Sequence, residues 1–200
     1  MLDKIINPSN KSILVLSNYR TGSTAFCDTV AKHFDLKNYD EHLYYSTESY
    51  QNILNLVDQN QIIFKIQPDQ IPVNCWEELT KKCYVIGLER KNILNQIVSF
   101  YICSRTQVWH NTDKNPDVEK LTADIAIDKF DIEDEIRYIL KMRNIYNENK
   151  KYCDVTFIYE DILSNFENTD YKLSSKPNNF IDIYNSVEKV FLSPEFTCYE

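Results

Sequence analysis

With 200 residues, the chain has the length of one globular domain that can bury a core without disulfides or metals. Its composition, 43% hydrophobic and 26% charged, is that of an ordinary folded protein rather than a disordered one. The formal net charge of −8 argues against a broad nucleic-acid surface, so we expect no nucleic-acid partner. Any anion that the chain binds must be held by a few well-placed cationic side chains.

Targeting and metal signals are weak in this sequence. No apolar run reaches the length of a membrane span, and the N-terminus lacks a basic region followed by a signal-type apolar core. We therefore expect a cytoplasmic protein without a membrane span. The six cysteines form no C-x-x-C pair and no metal-ligand spacing, which predicts reduced thiols and no bound metal.

The first strong pattern along the chain is an apolar run at residues 13–16, followed by a polar loop and a helical pattern. The run is typical of a buried strand, and the helical spacing falls on Ala25, Phe26, Val30 and Phe34. Unpaired backbone N–H groups and the helix dipole face such a loop, which makes it an anion site. Gly22, one of two glycines in the chain, lies where the backbone must turn sharply or approach a ligand closely.

The rest of the chain alternates short apolar runs with helical patterns. After the first strand and helix, we predict strands over 62–66, where Gln67-Pro68 ends the strand, over 83–88 and over 155–159. We predict helices over 47–58, 93–102, 132–146 and 181–191, a helix or turn over 76–82 and a short helix opened by Glu160 and Asp161. The stretches 35–46 and 168–179 are predicted as loops, and 105–128 as irregular.

This alternation predicts an α/β protein with a parallel central sheet flanked by helices, in one domain over residues 1–200. In such sheets, ligands bind outside the carboxyl ends of the strands. The loop at 18–24, the turn at 89–91 and the stretch after Tyr159 are therefore expected along the same edge.

The loop after the first strand is not a Walker A motif, because no Gly-Lys-Ser/Thr follows it. Its residues instead resemble the 5′-phosphosulfate loop of the sulfotransferases, which use 3′-phosphoadenosine 5′-phosphosulfate (PAPS) as sulfuryl donor. The matching residues are Tyr19, Arg20, Thr21, Gly22, Ser23 and Thr24. The alternative is a serine- or threonine-capped helix after a buried strand, with no ligand.

A second stretch carries the same resemblance. Arg90 at the end of the strand over 83–88, with Gln96 and Ser99 in the next helix, resembles the sulfotransferase 3′-phosphate motif. An arginine grips a phosphate through two parallel N–H bonds, and a serine hydroxyl adds another. The spacing is similar to the bacterial carbohydrate-type branch, whereas the cytosolic small-molecule branch would make Lys91 the match. The alternative is that Arg90 is a solvated helix-start residue and Ser99 a packing residue.

The resemblance implies a three-layer sandwich of the P-loop NTPase type with PAPS as co-substrate and no metal. It implies transfer of a sulfuryl group to a hydroxyl of a small-molecule or glycan acceptor, such as a carbohydrate or glycolipid. Arg20, Ser23 and Thr24 would hold the phosphosulfate. Lys176, with Lys172, would close over the 3′-phosphate. Lys65 would reach donor or acceptor, or else extend to solvent from the sheet edge.

The general base of such a reaction has three candidates. Glu41 matches the place where the bacterial-type branch keeps a catalytic glutamate, and His42 beside it has a side-chain pKa suited to base work near neutrality. His110 is the third candidate, and a solvated loop without chemistry at 40–42 is the alternative.

Two other functions compete with the sulfotransferase hypothesis. A nucleotide or small-molecule kinase with a degenerate P-loop would need magnesium, and the sequence has no evident Walker B carboxylate after a strand. A nucleotide-binding module without turnover would keep the phosphate contacts but lack the base. Magnesium dependence separates the first from a sulfotransferase, and turnover with PAPS separates the second.

Overall fold

A computed structural model describes residues 6, 8, 11–39, 47–59, 61–109, 122–162 and 176–196. Its strands are β1 Ser12–Ser17, β2 Lys37–Asn38, β3 Ile62–Ile66, β4 Cys83–Glu89 and β5 Val155–Ile158. Its α-helices are α1 Ser23–Phe34, α2 Thr47–Gln59, α3 Trp76–Lys82, α4 Ile93–Thr106, α5 Lys129–Asn149, α6 Tyr159–Ile162 and α7 Phe180–Phe191.

The five strands form one parallel sheet in the order β2-β3-β1-β4-β5. The central strand β1 pairs with β3 on one side, where Ile13 lies opposite Ile63, and with β4 on the other, where Ile13 lies opposite Tyr84. Every residue of β1 is buried. Such continuous burial explains the unbroken apolar run, because a parallel sheet is covered on both faces.

Alternate residues of the strands enter two separate cores, since successive side chains point to opposite faces. One core joins Leu14 and Leu16 to α2 and α3, whose contributions include Leu54 and Trp76. The other joins strand residues to the buried face of α1, namely Phe26, Cys27, Val30 and Ala31. The predicted parallel α/β architecture with helices on both faces is thereby confirmed.

The strand order creates a switch point at the centre of the sheet. The connection after β1 leads toward β2 and β3, whereas the connection after β4 leads to β5 on the opposite side. A ligand crevice forms outside the carboxyl ends of two such neighbouring strands. The loop at 18–22 and the turn at 90–92 both start there.

The chain divides into two compact units. The first comprises Met1–Lys91 and Met142–Glu167 and holds the sheet. The second comprises Asn92–Lys141 and Asn168–Glu200, where α4 packs against α7. In the second unit, the Asn179 side chain bonds both backbone groups of Ile125. The expectation of a single domain over 1–200 stays a prediction.

Several boundaries differ from the sequence predictions. The stretch 35–46, predicted as a loop, contains the edge strand β2, and α4 continues through Arg105 to Thr106. Tyr159, predicted to end the last strand, instead opens α6. The described cysteines are free, and Cys27, Cys83 and Cys103 are buried, whereas Cys75 and Cys153, also expected to be buried, are only partly so. None of the helices in the described ranges combines the length and apolar character that a membrane crossing requires.

Candidate functional site

The loop between β1 and α1 is a tight turn with two left-handed residues. Arg20 has φ 57° and Gly22 has φ 74°. Asn18 closes the loop, because its Oδ1 accepts from the Tyr19 N–H (2.8 Å) and its carbonyl oxygen accepts from Thr21 Oγ1 (2.9 Å). Glycine adopts positive φ freely, whereas the same region costs a residue with a Cβ roughly 1–2 kcal/mol. Arg20 therefore needs support from its surroundings.

Helix α1 begins at Ser23 with Gly22 as its N-cap. Because glycine has no side chain, the backbone N–H groups of the first turn receive no side-chain cap from that position. The expected alternative of a serine or threonine at the N-cap is therefore wrong, while the binding of a ligand at this loop stays a prediction. The first turn also contains no acidic residue. A helix start without a side-chain cap from its N-cap residue, together with the positive end of the helix dipole, favours an anion in front of this loop.

Lys65 lies in β3 beside this helix start and is 1% exposed. Its ammonium donates a hydrogen bond to Thr24 Oγ1 in the first turn of α1. The alternative, a lysine extending to solvent at the sheet edge, is wrong because the side chain is buried and its ammonium is bonded to Thr24. A buried cation at a helix N-terminus adds positive potential where the loop already favours an anion.

Arg90 follows β4 and reaches across to the loop after β1. Its Nη1 donates to the carbonyl oxygen of Arg20 over 2.8 Å, and its side chain is 19% exposed. Arg90 is therefore not a solvated helix-start residue. The contact brings together the loop at 18–24 and the turn at 89–91, as the sequence predicts for the carboxyl ends of neighbouring parallel strands.

Two residues of α6 flank Arg90. The Arg90 guanidinium carbon lies 5.3 Å from the centroid of the Tyr159 ring, and its Nε lies 3.9 Å from Glu160 Oε1. Glu160 Oε2 accepts from the Lys91 N–H over 2.9 Å. The sequence predicts that the stretch after Tyr159 lies on this edge but pairs neither residue with Arg90. The end of a strand at the same edge is the one signal that points to them.

Tyr159 also explains the glycine of the loop. A Cβ added to Gly22 would lie 2.2 Å from Cε2 of the Tyr159 ring, far inside van der Waals contact. The ring therefore covers the backbone at Gly22 as well as the guanidinium of Arg90. Three strand ends, those of β1, β4 and β5, meet in these contacts.

The electrostatics of this region are cationic in an otherwise acidic chain. Burial lowers the pKa of Arg90, and the nearby charge of Arg20 lowers it further, while Tyr159 and Glu160 oppose the shift. The guanidinium still stays charged at neutral pH. Arg143 adds a third guanidinium, since its Nη1 donates to the Arg90 carbonyl oxygen over 3.1 Å. The arrangement suits a ligand with more than one negative charge.

The remaining predicted site residues belong to the second unit, have exposed side chains or fall outside the described ranges. Ser99 and the buried Gln96 are on α4 in the second unit. Lys176 is also in the second unit, with its ammonium 4.1 Å from the centroid of the Phe180 ring. The side chain of Lys91 is exposed. The base candidates Glu41, His42 and His110, together with Lys172, lie outside the described residues. Within those residues, no three His, Cys, Asp or Glu side chains are grouped as a metal ion would require.

Comparisons with known proteins give structural likenesses only. No protein-family profile matches the chain, and no curated protein sequence matches it. Shikimate kinase from Bacteroides thetaiotaomicron is similar in structure with a TM-score of 0.45 and 10% identity, over 90% of this chain and 96% of the kinase. Mouse sulfotransferase SULT7A1 complexed with PAP has a TM-score of 0.45 and 14% identity, over 93% of this chain and 67% of the sulfotransferase. These two likenesses do not distinguish a sulfotransferase from a kinase.

Proposed function

We propose that the chain is a sulfotransferase that moves a sulfuryl group from PAPS to a hydroxyl of an acceptor such as a carbohydrate or glycolipid. One observation carries the proposal: the glycine-capped loop that resembles a phosphosulfate loop is bonded through Arg20 to Arg90, the arginine of the second motif. The two motifs were matched independently in the sequence, and each follows its own strand.

The loop and α1 would take the 5′-phosphosulfate. The first-turn N–H groups and the side chains of Ser23 and Thr24 supply hydrogen bonds, and Arg20 and Lys65 supply charge. Sulfuryl transfer breaks the bond between sulfur and the bridging phosphate oxygen, which leaves with the electron pair. Cations and helix-end amides around that oxygen stabilise the charge it gains in the transition state.

The 3′-phosphate of the donor would bind at Arg90. Its guanidinium is held on one edge by the loop, which leaves further N–H groups for a second anion. Ser99 and Lys176 are the proposed additional contacts. A donor with two separate anionic groups matches two cationic positions better than a single phosphate does.

The acceptor oxygen forms the new bond to sulfur as the phosphate leaves, and its proton passes to a base. Glu41 is the proposed base, with His42 and His110 as alternatives. Sulfuryl transfer resembles phosphoryl transfer in its demand for in-line positioning and charge stabilisation. The competing hypothesis, a kinase, makes a different demand, because it needs magnesium to bridge the nucleotide phosphates.

Isothermal titration calorimetry with 3′-phosphoadenosine 5′-phosphate (PAP), the spent donor, tests the proposal against ATP, with and without magnesium. We expect PAP to bind without magnesium and more tightly than ATP. Arg90→Ala should weaken PAP binding at least tenfold, because it removes a charge-assisted phosphate contact. Transfer of label from radioactive PAPS to a panel of sugars and glycolipids then tests for turnover.

Arg137→Ala is the matched control, because it removes the same charge from an arginine whose partners are Glu195 and Phe196. It should bind PAP as the wild type does. Preference for ATP that appears only with magnesium would overturn the proposal in favour of a kinase. PAP binding without transfer to any acceptor would instead indicate a binding module.

A further inference from the structure

We propose that Glu160 is a positioning residue, which holds the Arg90 guanidinium in the orientation that takes the donor phosphate. The ligand named here rests on the proposed function, whereas the contacts that hold Arg90 do not. From the sequence, Glu160 is expected to open a short helix and to help orient the site, but no sequence motif pairs it with Arg90.

Glu160 joins the backbone and the side chain at the end of β4. Its Oε2 accepts from the N–H of Lys91, which anchors the carboxylate, and its Oε1 lies 3.9 Å from Arg90 Nε. Because Oε2 is held by this hydrogen bond, the position of Oε1 beside Arg90 is restrained as well. Since residues 90 and 91 are consecutive, one carboxylate thus restrains both the chain and the guanidinium that emerges from it.

Three contacts then define the orientation of Arg90. Nη1 donates to the Arg20 carbonyl oxygen, the buried Nε forms an ion pair with Glu160 Oε1 at 3.9 Å without a hydrogen bond, and the guanidinium carbon lies 5.3 Å from the centroid of the Tyr159 ring. Within the described part of the chain, the Nη2 group has no acceptor. Nη2 and the second Nη1 hydrogen form the two-donor edge that binds a phosphate through parallel hydrogen bonds.

A positioning role and a simple charge effect predict opposite changes in affinity. If Glu160 acted only through its negative charge, Glu160→Gln would tighten binding of an anion, because repulsion is removed. If Glu160 orients Arg90, the same substitution weakens binding, because the free guanidinium must then be ordered by the ligand. Glutamine keeps the size of the side chain and an oxygen that can accept from the Lys91 N–H.

The experiment titrates PAP into the 200-residue chain and its variants by calorimetry. Glu160→Gln should weaken PAP binding roughly five- to tenfold, the effect of leaving one long side chain to be ordered on binding. In an Arg90→Ala background the same substitution should change nothing, because its effect acts through Arg90. Asp161→Asn, which removes the same charge from the next and exposed position, is the control and should not weaken binding.

A measurement without ligand keeps this test separate from the proposed function. The order parameter of the Arg90 Nε–H, by 15N relaxation, should be high in the wild type and fall in Glu160→Gln. Tighter PAP binding in Glu160→Gln, an equal loss in the Arg90→Ala background, or an unchanged order parameter would overturn the inference. If the wild type does not bind PAP while the order parameter falls as expected, the proposed function fails and the positioning role stands.

Discussion

The Nη1 atom of Arg90 lies 2.8 Å from the carbonyl oxygen of Arg20, 70 positions earlier in the chain. The acceptor belongs to a residue whose φ of 57° is unfavourable for arginine. The bond therefore stabilises the loop conformation in addition to placing the guanidinium beside the loop. Arg90 has a structural role and a proposed binding role at once.

Arg90→Lys separates charge from geometry. Lysine keeps the positive charge but lacks the planar fork, so it cannot bond the Arg20 carbonyl and grip a phosphate together. We expect PAP binding to weaken about tenfold or more, and the free energy of unfolding to fall by about 1 kcal/mol through the lost hydrogen bond. Calorimetry and urea denaturation measure the two effects. A variant with wild-type affinity would show that charge alone suffices.

Gly22→Ala should destabilise the protein by about 3 kcal/mol, because it adds left-handed strain to a steric clash. The new Cβ would lie 2.2 Å from Cε2 of Tyr159 at a residue with φ 74°. Combining it with Tyr159→Ala should relieve the clash but keep the strain. The double variant should therefore lose less free energy of unfolding than the sum of the losses in the two single variants. Urea denaturation of the single and double variants measures this. Full additivity would contradict the contact.

Lys65→Met should weaken PAP binding more than tenfold while leaving the protein at least as stable as the wild type. Methionine fills a similar volume without the cost of keeping an ammonium away from water in a position that is 1% exposed. Calorimetry and thermal unfolding measure the two properties. Lys141→Met, at an exposed lysine, is the control for the composition change and should alter neither. A large loss of stability in Lys65→Met would mean that the lysine is structural.

Gly87, in β4, lies where the surrounding side chains leave no room for a Cβ atom. A Cβ there would lie 2.6 Å from the Tyr146 hydroxyl oxygen and 3.0 Å from both Cys153 Sγ and Thr156 Oγ1. Gly87→Ala should therefore cost about 1–3 kcal/mol through overpacking. Tyr146→Phe removes the nearest atom, so the double variant should recover much of the loss. Denaturant titration measures it, and no recovery would exclude the Tyr146 contact as the cause.

The stability of the protein should fall as the pH rises from 9 to 12. Burial raises the pKa of Cys83 and of Cys153 from 9.0 to about 12, so the unfolded chain loses these protons first. Below pH 9 both the folded and the unfolded chain keep these two protons, and the contribution of the thiols to the free energy of unfolding is at its maximum. Between pH 9 and 12 the unfolded chain loses the protons while the folded chain keeps them, so this contribution is lost as the pH approaches 12. Urea denaturation across this range measures the slope. Cys83→Ala should show a shallower fall, and an identical slope would contradict the assignment.

The sequence was sufficient for the main elements because their burial is visible in it. Residues 62–66 are apolar apart from Lys65, and β3 occupies that range because both of its faces are covered. Strand β2 could not be predicted, since Lys37 and Asn38 carry no apolar pattern and pair only through the backbone. Tyr159 continues an apolar run, so its place in α6 is likewise not visible in the sequence.

The sequence was sufficient to predict where the site lies on the sheet but not which residues contact one another there. A glycine between an apolar run and a helical pattern located the loop, and parallel strand ends located Arg90 beside it. The left-handed conformation of Arg20 and the packing of Tyr159 on Gly22 depend on residues far apart in the chain. No local periodicity encodes such distant partners, and the contacts of Glu160 with Arg90 and the Lys91 N–H were not predictable for the same reason.

The central position of β1 has a consequence for how the chain folds. Ile13 of β1 pairs with Ile63 on one side and with Tyr84 on the other, and both partner strands come later in the chain. Neither edge of β1 therefore has a partner when the strand is synthesised. Such non-local pairing slows folding and leaves strand edges open to aggregation in the interval. The bond from Arg90 to Arg20 joins the residues that follow β4 and β1, so we expect it to form together with the pairing of those two strands. If the chain binds PAP as proposed, recovery of that binding during refolding should follow the pairing of β1 with β4 rather than the start of folding.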